Sequence, residues 1–170
     1  MPTPTLRTER LLLEPYRPTD RDDFVALFTD AEVGRFMGDG PLAPAAAEAL
    51  FERVFSKVYA DDLFDVWAIR SAGRFVGHAE IKRTDQVSGH EIVYALARSA
   101  WGGGLGTELV RELLRYGFAS LGLSRVYATV DEQNTASLVL LARLGFGHER
   151  DVAEPNGSTT RVLFVDRPSD

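Results

Sequence analysis

Four of the five residues from Gly102 to Gly106 are glycine, within Ala100-Trp101-Gly102-Gly103-Gly104-Leu105-Gly106-Thr107-Glu108. A main chain without Cβ atoms can come close to a phosphate. At the mouth of a helix its successive N–H groups can converge on one anion, and the helix dipole favours negative charge there. The chemistry implied is a grip on a phosphate-bearing cofactor. Two familiar phosphate loops do not fit. A P-loop needs Lys then Ser or Thr after its last glycine, whereas Thr107-Glu108 follow Gly106. A dinucleotide fingerprint needs G-x-G-x-x-G, and counting from Gly102 or Gly104 the last position falls on Thr107 or Leu109. The other reading of these glycines is a turn that only makes room for helix–sheet packing, and the spacing leaves both open.

Other residues could also do chemistry. In Val76-Gly77-His78-Ala79-Glu80-Ile81 the polar positions alternate with apolar ones, so His78 and Glu80 share one face of a strand. A plain solvated face would look the same. Asn134 and Ser137 stand one helical turn apart and can face one ligand, while Asn134 also suits a helix N-cap. His78, His90 and His148 form no metal-spaced set with carboxylates, so no metal is expected. The absence of cysteine removes disulfides, zinc-thiolate sites and a thiol nucleophile.

The elements that must position these residues follow from periodicity. Arg10 to Arg17 reads as a strand. Thr19 or Asp20 caps a helix carrying Phe24, Leu27 and Phe28. Residues 30–44, interrupted by glycines and prolines, read as loop. Ala45 to Tyr59 is a second helix with Leu50, Val54, Phe55 and Val58 as its apolar stripe. Leu63 to Arg70, Arg74 to Lys82 and His90 to Arg98 are strands joined by short turns, which favours an antiparallel meander. After the glycines comes a strongly amphipathic helix through Leu109, Val110, Leu113, Leu114 and Phe118, stopping at Gly122. Then follow a strand (Arg125 to Val130), a helix (Thr135 to Leu144) and two strands near Gly147 to Val152 and Thr159 to Val165. The order β-α-α-β-β-β-α-β-α-β-β gives an α/β (α+β) fold with about seven strands and four helices.

Its 170 residues suit one domain, residues 1–170, and 45% hydrophobic with 26% charged residues is globular composition. A net charge of −6 speaks against nucleic-acid binding, which needs clustered cations. No window approaches the roughly 20 apolar residues of a membrane helix, and no basic-then-apolar leader opens the chain. A cytoplasmic protein with no membrane or direct nucleic-acid partner is expected.

In these segments the sequence resembles the GCN5-related N-acetyltransferase (GNAT) superfamily, and within it the branch of ribosomal-protein N-terminal acetyltransferases (RimJ/RimL type). The superfamily's acetyl-CoA motif is Gln/Arg-x-x-Gly-x-Gly/Ala. Trp101-Gly102-Gly103-Gly104-Leu105-Gly106 fits its glycines, with Trp101 in place of Gln/Arg. Thr8-Glu9-Arg10-Leu11-Leu12-Leu13 with Thr19-Asp20 resembles the branch's opening strand and helix, and His90-Glu91-Ile92-Val93-Tyr94 its central strand. Asn134-Thr135-Ala136-Ser137 and Leu144-Gly145-Phe146 resemble its closing motif. The matches run in order over residues 6–165.

The resemblance implies a mixed, mostly antiparallel sheet in which a central parallel pair splays apart to admit pantetheine. Backbone groups of Leu96 and Ala97 would pair with that arm, and N–H groups from Gly102 to Thr107, across Gly103, Gly104, Leu105 and Gly106, would hold the pyrophosphate. Asn134 would bond pantetheine, with Ser137 near the sulfur as acid. The superfamily's usual tyrosine acid falls at Leu141, which has no proton to give. Glu91 is the first candidate for base, with orientation of the substrate as its alternative role; Glu80 is the second. Arg98, Arg111 and Arg143 are candidates for the CoA phosphates. The reaction implied is acetyl transfer from acetyl-CoA to a primary amine, either a protein N-terminus or a small molecule, by direct attack on the thioester. A free α-amino group has a pKa of about 8 and lysine about 10.4, so the amine must first lose a proton; the developing oxyanion then needs N–H donors. The 36–44 loop and the 84–89 turn are expected to shape the acceptor pocket, and homodimeric assembly is left open. Loss of the tyrosine at Leu141 keeps one rival in view, a CoA-binding sensor or structural module without turnover.

Overall fold

Thr8 decides how the chain begins. Its N–H donates to the Leu11 carbonyl at 2.9 Å, and its hydroxyl accepts from the Leu11 N–H at 2.9 Å. The single strand expected over Arg10–Arg17 is therefore a hairpin of β1 (Leu6–Arg7) and β2 (Leu12–Glu14), with Arg10 in the turn. Pro15 has no N–H to continue a ladder, and the Tyr16 N–H donates instead to the Tyr59 hydroxyl at 2.9 Å. The computed structural model describes residues 2–38 and 40–169; Met1, Asp170 and Asp39 of the 36–44 loop lie outside them.

The other strands are β3 (Asp65–Ser71), β4 (Arg74–Arg83), β5 (His90–Leu96), β6 (Arg125–Asp131), β7 (Gly147–Ala153) and β8 (Thr159–Asp166). All eight form one sheet in the order β1-β2-β3-β4-β5-β6-β8-β7, antiparallel throughout except between β5 and β6. The mixed architecture matches expectation. The extra strand comes from the opening hairpin.

Four helices cover the sheet: α1 (Arg21–Thr29), α2 (Pro44–Arg53), α3 (Leu105–Arg115) and α4 (Thr135–Arg143). Phe24 and Leu27 of α1 and Phe51 of α2 pack on one face against Val66 and Ala68. On the other face Leu109 and Leu113 of α3 and Leu141 of α4 meet Trp67, Ile81 and Val126. Burying each such side chain contributes about 1.5–3 kcal/mol. α4 ends at Gly145, whose φ of 93° is left-handed. There Phe146 N–H donates to Leu141 O and Gly145 N–H to Ala142 O, at 3.0 and 3.1 Å, satisfying the last carbonyls.

Asp20 stands at the N-cap of α1 without making a capping bond. Its Oδ2 accepts from the Arg17 N–H at 2.8 Å, and both oxygens accept from Arg70 Nη2 at 2.8 and 2.9 Å. The residue read as a cap thus ties the start of α1 to β3. Among the described residues no helix is long and apolar enough to cross a membrane.

Gly77 is the tightest point between β4 and β5: a Cβ there would lie 2.4 Å from the Ala95 carbonyl oxygen. Backbone must move to accept it, so Gly77→Ala is expected to cost about 2 kcal/mol, typical of overpacking. Urea denaturation of both proteins measures this, and equal stability would mean that the two strands can part freely.

Candidate active site

The site starts from an interrupted ladder. β5 pairs with β4 over seven positions, Gly77↔Leu96 to Arg83↔His90, and β6 pairs with β8 over seven, Arg125↔Asp166 to Asp131↔Thr160. Between β5 and β6 only His90↔Val126 and Glu91↔Tyr127 are paired. Beyond Glu91 the two strands diverge. Ala97 N–H donates to Val76 O at 2.8 Å, and the alternation of an antiparallel ladder then directs the N–H and C=O groups of Ile92, Tyr94 and Leu96 away from β4, toward the gap. An extended chain entering there would meet strand-edge partners.

Of the two backbone contacts expected on this edge, Leu96 faces the gap and Ala97 does not. The Ala97 N–H is taken by Val76, and its carbonyl accepts from the Ala100 N–H at 2.8 Å. The Leu96 carbonyl accepts from the Trp101 indole N–H at 2.7 Å, which gives the half-exposed Trp101 a role in fixing the turn. The backbone groups of Tyr94, overlooked in the sequence, face the gap where those of Ala97 do not.

At the end of the gap lies the glycine turn. Gly104 caps α3 with φ 80°, and Gly102 has φ 82°. A Cβ on Gly102 or Gly103 would stand in open space, so the surface above them is free for a ligand. A Cβ on Gly106 would lie 2.8 Å from Leu140 Cδ1. The segment divides by residue: Gly106 makes room for α4, while Gly102 and Gly103 leave an open surface. Among the described residues the N–H groups of Gly102 through Thr107 have no backbone acceptor, as the first turn of a helix dictates. Leu105 and Thr107 contribute through these amides. Such a set of donors fits a diphosphate.

Glu108 turns away from the cradle. Its carboxylate accepts from the Thr8 hydroxyl at 2.5 Å, the Arg10 N–H at 2.8 Å and Arg10 Nε at 2.8 Å. Arg10 Nη1 reaches back to the Gly103 carbonyl at 2.7 Å, and Nη2 lies beside Gly104. Arg10 thus lies beside the glycine turn, a placement missed because it depends on Glu108, 98 positions away. Of the arginines proposed from sequence, Arg98 is paired with Asp30 at 3.0 Å, and Arg111 lines a groove beside Arg10 and Thr107.

Asn134 caps α4, its Oδ1 accepting from the Ser137 N–H at 3.3 Å. The Ser137 hydroxyl is 3.1 Å from the Tyr94 hydroxyl, on the α3 side of the gap. Burial raises the Tyr94 pKa above its ordinary value, the Ser137 bond opposing. Leu141 is fully buried in the core. A phenol does reach this helix, but from β5; only proximity in the fold reveals it.

On the opposite face Glu80, Lys82 and Glu91 come together, Lys82 directly opposite Glu91 in the ladder. Glu91 is 6% exposed. Burial raises its pKa above the usual carboxylate range, partly opposed by the charge of Lys82 and by the Thr129 hydroxyl, which donates to it at 3.4 Å. Glu80 is tuned the other way. Burial would raise its pKa too, but His78 and then Lys82 outweigh this and bring it to about 2. Its Oε1 is 3.1 Å from His78 Nε2 and its Oε2 2.8 Å from Lys82 Nζ. His78 is held in turn by the Tyr16 hydroxyl, 2.7 Å from Nδ1. Glu80 is therefore ionised, doubly bonded and a weak proton acceptor, which counts against it as base.

A cavity of about 410 Å³ opens on this face, lined by β4, α1 and α2 residues and by Thr84 and Asp85. Thr84 and Asp85 belong to the 84–89 turn, one of the two segments expected to shape the acceptor pocket. No described residue of the 36–44 loop lines it, and α2 supplies that wall instead.

A splayed parallel pair ending on a glycine-rich helix mouth is the architecture of a CoA-dependent acyltransferase. The comparisons agree. A family profile described as "Acetyltransferase (GNAT) domain" matches residues 10–147, and the chain belongs to that family of acetyl-CoA-dependent enzymes. It is 31% identical to the uncharacterized N-acetyltransferase p20 of Bacillus licheniformis, over 95% of this chain and 92% of that protein. The crystal structure of a GNAT-family acetyltransferase from Bacillus anthracis superposes with a TM-score of 0.81 at 17% identity, covering 95% of this chain and 98% of that one. A spermidine N-acetyltransferase from Vibrio cholerae, in complex with CoA and spermine, gives 0.79 at 17% identity over 94% and 96%. At that identity both structures speak to the fold alone.

The raised pKa of Glu91 carries a stability consequence. A group whose pKa is higher folded than unfolded loses stability for the protein as pH rises through the folded value. Glu91→Gln is expected to be more stable than the parent at pH 7, with the difference vanishing below about pH 4, where the unfolded carboxyl is protonated too. Thermal unfolding at pH 7 and pH 4 tests it; a variant less stable at neutral pH would show that the charge is fully compensated.

Proposed function

We propose that this chain transfers acetyl from acetyl-CoA to a primary amine by direct attack, with Glu91 as base and Ser137 as acid. The observation that carries this reading is the gap beyond Glu91, edged by backbone groups of Tyr94 and the N–H of Leu96 that point away from β4, and ending on the amides of Gly102 to Thr107. Trp101 holds the turn, and Asn134, whose Oδ1 is engaged in capping, offers its amide N–H to the pantetheine arm.

Bound acetyl-CoA supplies an acyl group already activated as a thioester, so positioning contributes much of the rate. Glu91, buried and with a raised pKa, accepts one proton from the substrate ammonium. The freed lone pair forms the C–N bond as the C–S bond breaks. The Ser137 hydroxyl gives its proton to the departing sulfur and recovers one from the new amide nitrogen, with the Tyr94 hydroxyl beside it as partner. The products are the acetamide and CoA thiol, and the proton on Glu91 returns to solvent. Glu80 stays ionised throughout and positions Lys82. The acceptor is a protein N-terminus, as in the RimJ/RimL-type branch, or a small amine. A non-catalytic CoA sensor is the weaker reading, because the Ser137 and Tyr94 hydroxyls on the α3 side of the gap can act in place of the absent tyrosine.

Two variants test this. Gly103→Asp places a charge in open space at the cradle without straining φ, so the fold should persist while CoA affinity drops by about tenfold or more. Unchanged affinity by calorimetry would remove the cradle assignment. Ser137→Ala is expected to lower kcat by about 100-fold, as loss of general acid catalysis does, with acetyl-CoA KM within about twofold. Thiol release at the parent rate would eliminate Ser137 as acid.

A further inference from the structure

The cavity on the Glu80 face tells more about the acceptor than its size. One part of its wall is apolar, from Phe24, Leu50, Val54 and Phe64, and the rest is polar or charged; Leu50 is left 36% exposed. The charges around it are not equally engaged. Glu80 and Lys82 neutralise each other at 2.8 Å, with Lys82 Nζ also 5.2 Å from the centre of the Phe64 ring. Among the described residues Arg53 and Arg83 make no ion pair, and Asp85 is the one other carboxylate in the lining. Glu91 lies on the same face, opposite Lys82. A guest in the cavity thus meets an apolar wall and an uncommitted guanidinium on α2, and Glu91 stands just outside the lining, next to the Lys82 that belongs to it.

A polyamine would want several free carboxylates along its length. Here one of the two lining carboxylates is already matched, and the uncommitted charges are mostly cationic. From this arrangement, and resting on the transferase reading above, we infer that the acceptor is an amino-acid-like small molecule: a primary amine that also carries a carboxylate and an apolar side chain. The amine faces Glu91, the carboxylate is held by the Arg53 guanidinium, and the side chain lies against Leu50, Val54 and Phe64. Arginine is suited to this, since its planar fork matches a carboxylate. The transfer balances as written above: the C–N bond forms, the C–S bond breaks, and CoA thiol, an N-acetyl acid and one proton result.

The experiment measures kcat/KM by thiol release for leucine and phenylalanine, each against its own amide, with spermidine as the polyamine. The amide has the more readily deprotonated amine, so intrinsic reactivity favours it. The expected result is the reverse: the acid preferred by about tenfold or more, as for loss of a charge-assisted hydrogen bond, and spermidine the poorest. Arg53→Met should pull the acid-to-amide ratio toward one, and Arg53→Lys should restore part of it. An amide or spermidine preference, or an acid preference indifferent to Arg53→Met, overturns the inference. If amides or spermidine are acetylated and acids are not, the transferase reading stands and only this substrate class falls. If no amine accelerates thiol release while CoA still binds, both fall together.

Discussion

Strand-edge N–H and C=O groups cannot be buried without partners, at a cost of about 1–3 kcal/mol each. The site depends on that constraint being left open at one place. β5 is committed to β4 and β6 to β8, each over seven pairs, while the two share only two. Each diverging strand is tied along its outer edge to a complete ladder, so closing the gap would have to move two paired units rather than one strand. On the α3 face the contact between Tyr94 and Ser137 further holds α4 across the opening. The sheet is thus locked in a form that offers hydrogen bonds to an extended guest.

The same face of β4 and β5 tunes two carboxylates in opposite directions. Glu91 has burial as its dominant influence, so its proton is held more tightly than usual. Glu80, partly buried, has His78 and Lys82 on its two oxygens and keeps its charge. Environments that push neighbouring carboxyl groups apart assign them different duties. The Tyr16–His78 contact beneath them anchors this pattern in the aromatic core formed with Phe24 and Phe28.

Much of this fold was legible because local periodicity carries it. The apolar spacing of Leu109, Val110, Leu113 and Leu114 marks α3, and the short turns of the meander give β3 to β5. The opening strand was misread because a hydroxyl, Thr8, makes a turn that an apolar run of leucines conceals. The glycine cluster was legible as a whole, but the separate task of Gly106 depends on Leu140 of another helix. The least legible features join distant positions: Tyr94 with Ser137, Arg10 with Glu108, Glu80 with His78 and so with Tyr16. No period of 2 or 3.6 encodes such meetings. Resemblance in motif order supplied the gap itself, which no single segment announces.

The fastening of Glu108 by Thr8 and Arg10 has a mechanical corollary. Thr8 and Arg10 serve as a clasp on the first turn of α3, so the glycine turn is braced by residues about a hundred positions earlier. A shortened chain lacking the first ten residues would retain every glycine of the turn and yet leave it unbraced.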